Sequence, residues 1–424
     1  MELPKEGLAW PEIEARLNDA KKGDISWRDA RMAVYYYYLD DELADVQKRA
    51  YAAFWTENSL GKRAFPSLAK LETDVVDFGL ALLNAPDDAA GTFTSGGSES
   101  IFLAVQTARD WARDTKGIRN PNFVVPRTAH PAFSRAGHAL GIDVRRVPTT
   151  RNDFKADIGA MASRIDDNTI GLVGSAPCYP FGVFDPIREL GALAASRGLW
   201  LHVDACVGGF LSPYVKRLGH ALPDWDFSVP GVTSLSADLH KHGMAAKGAS
   251  LMLLRSKELK EKYQTFDFRE WERGPYVAWT MQGTRPGGAV AAAWATLQHL
   301  GDAGYLRCAR MIMDTKKALI DGIGRIPGLA VLEPSELSIF VTRSADPALD
   351  IGAVSDAMGT RGWLIGRQVE PAGIHMHLNP SHERMVGDYL ADLAWAVGQA
   401  RQSGARSRET GAVAGFVWTG FRAS

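Results

Sequence analysis

With 424 residues, 46% of them hydrophobic, the chain is long enough to bury a large core and to divide into a major and a minor domain. Its 48 Lys and Arg balance 49 Asp and Glu, so the formal net charge of −1 excludes a global field that would draw the molecule to nucleic acid or to an anionic membrane. Cys178, Cys206 and Cys308 are few and odd in number, which argues for a reducing compartment and against a disulfide framework.

The opening Met1-Glu2-Leu3-Pro4-Lys5 has no basic stretch leading into an apolar core, and no apolar run approaches the roughly eighteen residues of a membrane helix. The expectation is a soluble, cytoplasmic protein with no membrane anchor. Residues 1–60 read as an N-terminal arm dense in aromatics: Trp27, Tyr35, Tyr36, Tyr37, Tyr38, Phe54 and Trp55. Apolar spacing predicts a helix over 46–55, whereas the tyrosine run follows neither the helical nor the strand period. Four adjacent tyrosines ordinarily serve packing or an interface. After Phe65-Pro66, the positions Leu68, Leu71, Val75, Val76, Phe78 and Leu82 predict a helix with Ser67 as its N-cap.

Thr94-Ser95-Gly96-Gly97-Ser98-Glu99-Ser100 opens a second helix, continued by Ile101, Val105, Ala108 and Trp111. Two glycines let the backbone approach an anion closely, and free amides at a helix start bind phosphate, although such a turn is also an ordinary helix beginning. Strands are predicted at 122–126, 143–147 and 169–175, alternating with helices at 158–165 and 186–195. The alternation predicts an α/β fold with a mostly parallel central sheet flanked by helices. The loop Ala176-Pro177-Cys178-Tyr179-Pro180-Phe181-Gly182 follows a strand's C-terminal end, which places it on the ligand crevice.

The next strand, 199–203, delivers Asp204 into a Gly-rich bend, and the strand 232–236 delivers His240 and Lys241. One carboxylate and one amine, 37 residues apart and each at a strand end, suit pyridoxal 5'-phosphate. That cofactor needs a Lys to hold it as a Schiff base and an acid to keep its pyridine nitrogen protonated. A lysine taken alone is most often a solvated surface residue. A further strand is predicted at 250–254, preceded by Lys247-Gly248. The alanine-rich helix 289–300 follows Gly283-Thr284-Arg285-Pro286-Gly287-Gly288.

From about Gly301 the pattern changes to a helix (305–323), strands (329–332 and 337–341) and helices (351–358 and 384–400). This is a smaller α+β C-terminal domain, so the division reads 1–60 arm, 61–300 large domain, 301–424 small domain. His375 and His377 alternate on an apparent strand. With no Cys or acidic third ligand at suitable spacing, they read as structural and no metal is expected. Phe416, Val417 and Trp418 punctuate a polar tail.

Three stretches together, His202-Val203-Asp204-Ala205-Cys206-Val207-Gly208-Gly209-Phe210, residues 231–243 around Asp238-Leu239-His240-Lys241, and Thr284-Arg285-Pro286-Gly287-Gly288, resemble the sphingosine-1-phosphate lyase family. The resemblance runs from about residue 24 to about residue 400. It implies a fold-type I pyridoxal phosphate enzyme akin to the group II amino acid decarboxylases. By resemblance, Gly96, Gly97 and Ser98 cradle the cofactor phosphate, His130 stacks on the ring, and Asp204, His240 and Lys241 complete the cofactor site. Gly283 and Thr284 belong to a turn that touches the phosphate of a neighbouring subunit, which implies a homodimer with a shared active site. Tyr37, Asn58 and Lys247 match substrate-contacting positions, and Lys247 also reads as a turn residue in water.

The sequence departs from the family at Ser59-Leu60-Gly61-Lys62-Arg63, where relatives carry a His before the Phe-Pro pair, at Trp279, where a proline is usual, and at Gln282, where a small residue is usual. Eukaryotic relatives carry a membrane anchor ahead of the catalytic part, so this chain looks like the soluble form.

The resemblance implies a carbon–carbon lyase acting on a phosphorylated long-chain amino alcohol, a small-molecule amine. A retro-aldol cleavage yields a long-chain aldehyde and phosphoethanolamine. Lys241 is the carrier of cofactor and proton, and the acceptor of the hydroxyl proton is Tyr37, His240 or the cofactor phosphate. An amino acid α-decarboxylase uses the same electron sink, and an inactive relative is the non-enzymatic rival.

Overall fold

The computed structural model describes residues 3–404 and residue 407. A central sheet contains seven strands: β1 (Ala90–Thr94), β2 (Asn122–Pro126), β3 (Asp143–Val147), β4 (Thr169–Ser175), β5 (Trp200–Asp204), β6 (Ser234–Ala237) and β7 (Ser250–Leu254). They lie in the order β1-β7-β6-β5-β4-β2-β3. The run from β6 through β3 is parallel, as the alternation of strand and helix predicts, and β7 is antiparallel to both β6 and β1. Residues 238–249, which join β6 to β7, hold no crossover helix, and without one the chain must return antiparallel. That short return carries Lys241. Strand β1 escapes the sequence reading because five residues before a glycine turn show no clear period.

Helices α1 (Trp10–Ala20), α2 (Asp41–Ala53), α3 (Pro66–Leu82) and α4 (Gly97–Lys116) precede or follow β1. Helix α2 begins earlier than its apolar spacing suggests because the Asp40 side chain accepts a hydrogen bond from the Leu43 amide, capping the first turn. Ser67 is not the N-cap of α3. Phe65 occupies that position without a side-chain bond, and Pro66 takes the first helical position, where its fixed φ and missing N–H cost nothing. Helix α1 buries no residue and exposes Trp10, Ile13 and Leu17.

The helices predicted at 289–300 and 305–323 are halves of one element, Gly287–Ile323, interrupted at Gly301, whose φ of 53° departs from the helix. Its first half packs on α2, where Gln47 Nε2 donates to Thr296 Oγ1 at 3.0 Å. A two-stranded ribbon, β8 (Phe266–Phe268) with β9 (Tyr276–Ala278), stands beside it.

The C-terminal sheet is wholly antiparallel, in the order β10 (Leu329–Val331), β11 (Ile339–Ser344), β13 (Gly373–His377), β12 (Gly366–Gln368). Helices Ile351–Thr360 and Val386–Ser403 pack against each other beside it. Phe416, Val417 and Trp418 lie outside the described residues.

The N-terminal segment is stitched to this small domain. The Ala33 amide donates to Leu364 O, the Leu364 amide to Arg31 O, and the His377 amide to Ala33 O. These bonds hold the tyrosine run, which has no regular structure of its own, close to β13.

Candidate active site

The floor of the cleft is built where parallel strands end. Register pairs Ser175 of β4 with Asp204 of β5, and Asp204 with Ser236 of β6, so three C-terminal strand ends meet at Asp204. Its Oδ1 accepts from the Cys206 amide at 3.1 Å and from Ser236 Oγ at 3.4 Å. Among the described residues nothing is recorded bonding Oδ2. Lys241 reaches the same floor, with Nζ 3.0 Å from Asp238 Oδ2. Burial works against both charges, but the surrounding groups together outweigh it: Asp238, with Cys206, Tyr37 and Asp204, holds the Lys241 ammonium above its ordinary pKa, and Lys241, with His240 and Ser250, holds the Asp238 carboxyl below its own. Asp238 Oδ1 is buried and, among the described residues, has no hydrogen-bond partner.

Helix α4 points its first turn at this floor. Gly96 is the N-cap, with no side chain to block the free amides, and a Cβ on Gly97 would lie 2.7 Å from Cys206 Sγ and 3.0 Å from both Asp238 oxygens. Glycine is therefore required where helix and floor meet. Ser95 closes the turn by donating through its amide and hydroxyl to Glu99 Oε2, each at 2.7 Å, while Ser98 is exposed. The link Thr94 Oγ1, Ser100 Oγ, Ser250 Oγ, with separations of 2.6 and 2.9 Å, fixes the helix start to β1 and β7.

His240 sits beside this turn. A Cβ on Gly96 would be 3.1 Å from its Cε1, its Nδ1 accepts from the Ala249 amide at 3.2 Å, and its Nε2 is 3.6 Å from Asp238 Oδ2. The Ala249 bond leaves the proton on Nε2. Desolvation lowers the His240 pKa against the pull of Asp238. His130, at the end of β2, exposes its ring to the cleft. Its Nδ1 accepts from the Ala132 amide at 3.1 Å, and desolvation lowers its pKa against the pull of Asp204.

Opposite the floor, Tyr37 is caged. Its ring makes edge contacts with His242 and His377 at centroid separations of 5.2 and 5.6 Å, and its hydroxyl is 3.1 Å from His377 Nε2. Lys247 Nζ lies over the same ring at 4.8 Å and donates to His240 O at 3.0 Å. Burial drives the Tyr37 phenol upward against the opposing pull of Lys241, and crowding of protein around Lys247, with Lys241 nearby, brings that ammonium down to about 8. His242 bridges the two domains: its ring nitrogens lie 2.9 Å from Val207 O and 3.0 Å from Leu378 O.

Asn58, Gly283 and Thr284 form a separate group. Asn58 Nδ2 donates to Thr284 Oγ1 at 3.2 Å, and Asn58 Oδ1 accepts from the Arg285 amide at 3.2 Å. No hydrogen bond or ring contact among the described residues joins this group to Lys241. Nearby, the Met281 amide donates to Glu99 Oε1 of helix α4 at 3.0 Å. Its anchor is the buried pair of Arg285 NH2 and Glu72 Oε2 at 3.0 Å.

Sequence reasoning passed over four residues that line the cleft: Asp238, His242, Tyr179 and His377. The first two stand inside the motif around Lys241, and Tyr179 is in the loop expected to border the crevice. His377, read as structural and not as a metal ligand, touches the Tyr37 hydroxyl. Its signal was the alternation with His375, whose Nε2 is 2.8 Å from Tyr179 O, because period two aims both rings to one side of β13.

The residues fit pyridoxal phosphate: an amine on the floor, a carboxylate oxygen with no recorded protein partner, and a helix start cleared of side chains by two glycines. Comparisons with known proteins agree. The family model for the pyridoxal-dependent decarboxylase conserved domain matches residues 33–331. The sphingosine-1-phosphate lyase of Arabidopsis thaliana is 39% identical over 93% of this chain and 73% of its own length. A probable L-aspartate decarboxylase of Pyrococcus furiosus is 31% identical over 86% of this chain and 95% of its own. Among solved structures, the Burkholderia pseudomallei sphingosine-1-phosphate lyase superposes with a TM-score of 0.90 at 35% identity, covering 95% of this chain and 94% of that one. The Lactobacillus brevis glutamate decarboxylase, at 20% identity and a TM-score of 0.83, shares the fold. The cofactor is pyridoxal phosphate, and the chain belongs to the sphingosine-1-phosphate lyase family of pyridoxal-phosphate-dependent lyases.

Proposed function

We propose that the protein cleaves the C2–C3 bond of a phosphorylated long-chain amino alcohol of the sphingosine 1-phosphate type, releasing a long-chain aldehyde and phosphoethanolamine. The observation that carries this reading is the 39% identity to a sphingosine-1-phosphate lyase over 93% of the chain, spanning both the Lys241 floor and the Tyr37 cage. When bound, the cofactor supplies an electron sink for the pair released as the bond breaks.

This chain's residues supply the rest. Lys241 would hold the cofactor covalently through Nζ and, when free, would carry a proton there. Asp204 would keep the ring nitrogen protonated, His130 would cover the ring, and the amides at Gly96, Gly97 and Ser98 would hold the phosphate. The reaction needs one proton to leave the C3 hydroxyl and one to reach C2. Tyr37 Oη and His240 Nε2 are the groups we assign to handle the hydroxyl proton. Lys247, with its lowered pKa, stands ready for the substrate's anionic group, and Asn58 orders the turn of Gly283 and Thr284.

We further propose a homodimer in which that turn serves the neighbouring site. Support comes from exposed apolar surface on elements around it, with Trp55 72%, Met281 63% and Phe266 56% exposed. A cytoplasmic location agrees with three free, buried cysteines, and no described helix is long and apolar enough to cross a membrane.

The second reading, an amino acid α-decarboxylase, is favoured by the match to a probable L-aspartate decarboxylase and by residues 59–63 lacking the histidine that the resemblance places before the Phe-Pro pair. Incubation with sphingosine 1-phosphate, and separately with a panel of amino acids, distinguishes the two. Long-chain aldehyde from the first supports the lyase; carbon dioxide from the amino acids with no aldehyde overturns it.

A further inference from the structure

Strands β5 and β6 run parallel with His202 opposite Ser234 and Asp204 opposite Ser236. Because side chains alternate along a strand, Trp200, His202 and Asp204 share one face of β5, and Ser234 and Ser236 share the same face of β6. All five are nearly or fully buried: Trp200 and His202 are 1% exposed, both serines 0%, and Asp204 8%. They are in continuous polar contact. Trp200 Nε1 is 2.8 Å from Ser234 Oγ, Ser234 Oγ 2.8 Å from His202 Nδ1, His202 Nε2 3.2 Å from Ser236 Oγ, and Ser236 Oγ 3.4 Å from Asp204 Oδ1.

The direction of every hydrogen in this chain follows from its far end. A carboxylate can only accept, so the single Ser236 hydrogen goes to Asp204 Oδ1, where the Cys206 amide also donates, and Ser236 must accept from His202 Nε2. With the proton on Nε2, the neutral ring accepts at Nδ1 from the Ser234 hydroxyl, which itself accepts from Trp200 Nε1, a group that can only donate. Oδ1 thereby accepts two hydrogen bonds, and among the described residues Oδ2 accepts none.

We propose that Trp200, Ser234, His202 and Ser236 form a one-way hydrogen-bond relay whose task is to position Asp204, fixing the carboxylate so that Oδ2 is presented to the cofactor's ring nitrogen. These are positioning residues, since each acts through Asp204. The Phe133 ring, its centroid 5.6 Å from that of His202 and inclined to it by 64°, packs against the imidazole. Desolvation of His202, which lowers its pKa to about 4, keeps it neutral at working pH, so the relay holds one polarity.

The proposal rests on the reading of Asp204 as the partner of the ring nitrogen, and the experiment separates the two. In the first arm, full-length protein labelled with 15N-histidine and stripped of pyridoxal phosphate gives a long-range proton–nitrogen spectrum, with His202 assigned by its loss in His202→Asn. The expected result is a neutral ring protonated on Nε2 between about pH 6 and pH 8. Ser234→Ala should admit the Nδ1-protonated form. An Nδ1 proton in the wild type, or an unchanged ring in Ser234→Ala, overturns the relay. Should Ser234→Ala fail to fold, Ser234→Cys, a weaker donor of similar size, takes its place with the same expectation.

In the second arm, protein loaded with pyridoxal phosphate is titrated by its visible absorbance. Ser236→Ala and Ser234→Ala should shift the midpoint in the same direction, the former by about half a pH unit or more and the latter by less. A shift in Ser236→Ala with none in Ser234→Ala means Ser236 acts alone, and the relay falls. A wild-type midpoint in Asp204→Asn removes the ring-nitrogen reading instead, while the first arm still reports on the relay.

Discussion

Lys241 Nζ lies 3.0 Å from Asp238 Oδ2, and the carboxylate that receives it is only 2% exposed. The buried carboxylate and the part-exposed ammonium favour each other's ionised state, and among the described residues the next basic group to Asp238 is His240, with Nε2 3.6 Å away. Removing one partner of a buried pair leaves the other uncompensated, at a cost of about 3–5 kcal/mol. Lys241→Ala should therefore lose the visible band and also unfold earlier in urea, even without cofactor. Asp238→Asn combined with Lys241→Ala should regain more than half of the lost stability. A Lys241→Ala variant as stable as the wild-type apoprotein would show that the pair is not coupled.

Tyr37 is held by contacts that do not involve the cofactor-holding residues directly. Removing its hydroxyl should leave cofactor binding intact while taking away the bond to His377 Nε2. If the phenol exchanges a proton with substrate, Tyr37→Phe lowers kcat by about 10²–10⁴-fold with KM little changed. A purely packing tyrosine would show kcat within a fewfold of wild type. Absorbance of the loaded enzyme, measured alongside, reports that the cofactor site is unaltered.

Gly97 stands at the junction of helix and floor, where a methyl group would come within 2.7 Å of Cys206 Sγ. Gly97→Ala should destabilise the protein by about 1–3 kcal/mol through overpacking. It should also weaken retention of pyridoxal phosphate during gel filtration, because the helix start must move away from the floor. Full retention in a destabilised variant would separate packing from anion binding.

How much of this was legible beforehand differs from residue to residue. Asp204, His240 and Lys241 could be read because each follows an apolar strand, and strand ends are where open α/β sheets expose ligand-binding groups. The glycine pair before α4 carries its own chemistry for the same reason. By contrast, His377 is brought to Tyr37 by bonds from Ala33 and Leu364, across more than three hundred residues of chain. No local pattern reports such a contact. The antiparallel β7 was also hidden, because Ser-Leu-Met-Leu-Leu is apolar whichever way it runs. Ser67 was misread as a cap since it precedes an apolar run, while Pro66 had already committed the backbone to helix one residue earlier.

Arg285 and Glu72, with side chains 6% and 7% exposed, tie the 283–286 turn to helix α3, and Ser59 Oγ donates to the same Glu72 carboxylate. The turn thus depends on a buried pair remote from Lys241. Glu72→Gln should cost about 3–5 kcal/mol by stranding the guanidinium. It should also loosen Asn58 from Thr284, raising susceptibility to proteolysis between residues 279 and 286. Unchanged proteolysis in a destabilised variant would show that the turn is held by other contacts.

His382 links stability to pH with a definite sign. It is fully buried, its Nδ1 accepts from the Asn379 amide at 2.9 Å, and its Nε2 donates to Met32 O at 2.7 Å, so the fold wants the neutral ring. Burial lowers its pKa from 6.5 to about 4. Between those values the unfolded chain binds the proton and the folded one does not, so this group's contribution is present above pH 6.5 and is lost as pH falls towards 4. At pH 5 the loss is about 2 kcal/mol. The whole-protein curve does not isolate it, because buried Asp185, with its pKa raised to about 7, acts in the opposite sense over the same window. The comparison is therefore between proteins. His382→Gln, which keeps a donor and an acceptor, should lose about 2 kcal/mol less than the wild type between pH 7.5 and pH 5 in urea titrations. Parallel curves for the two proteins would mean that His382 does not stay neutral in the fold.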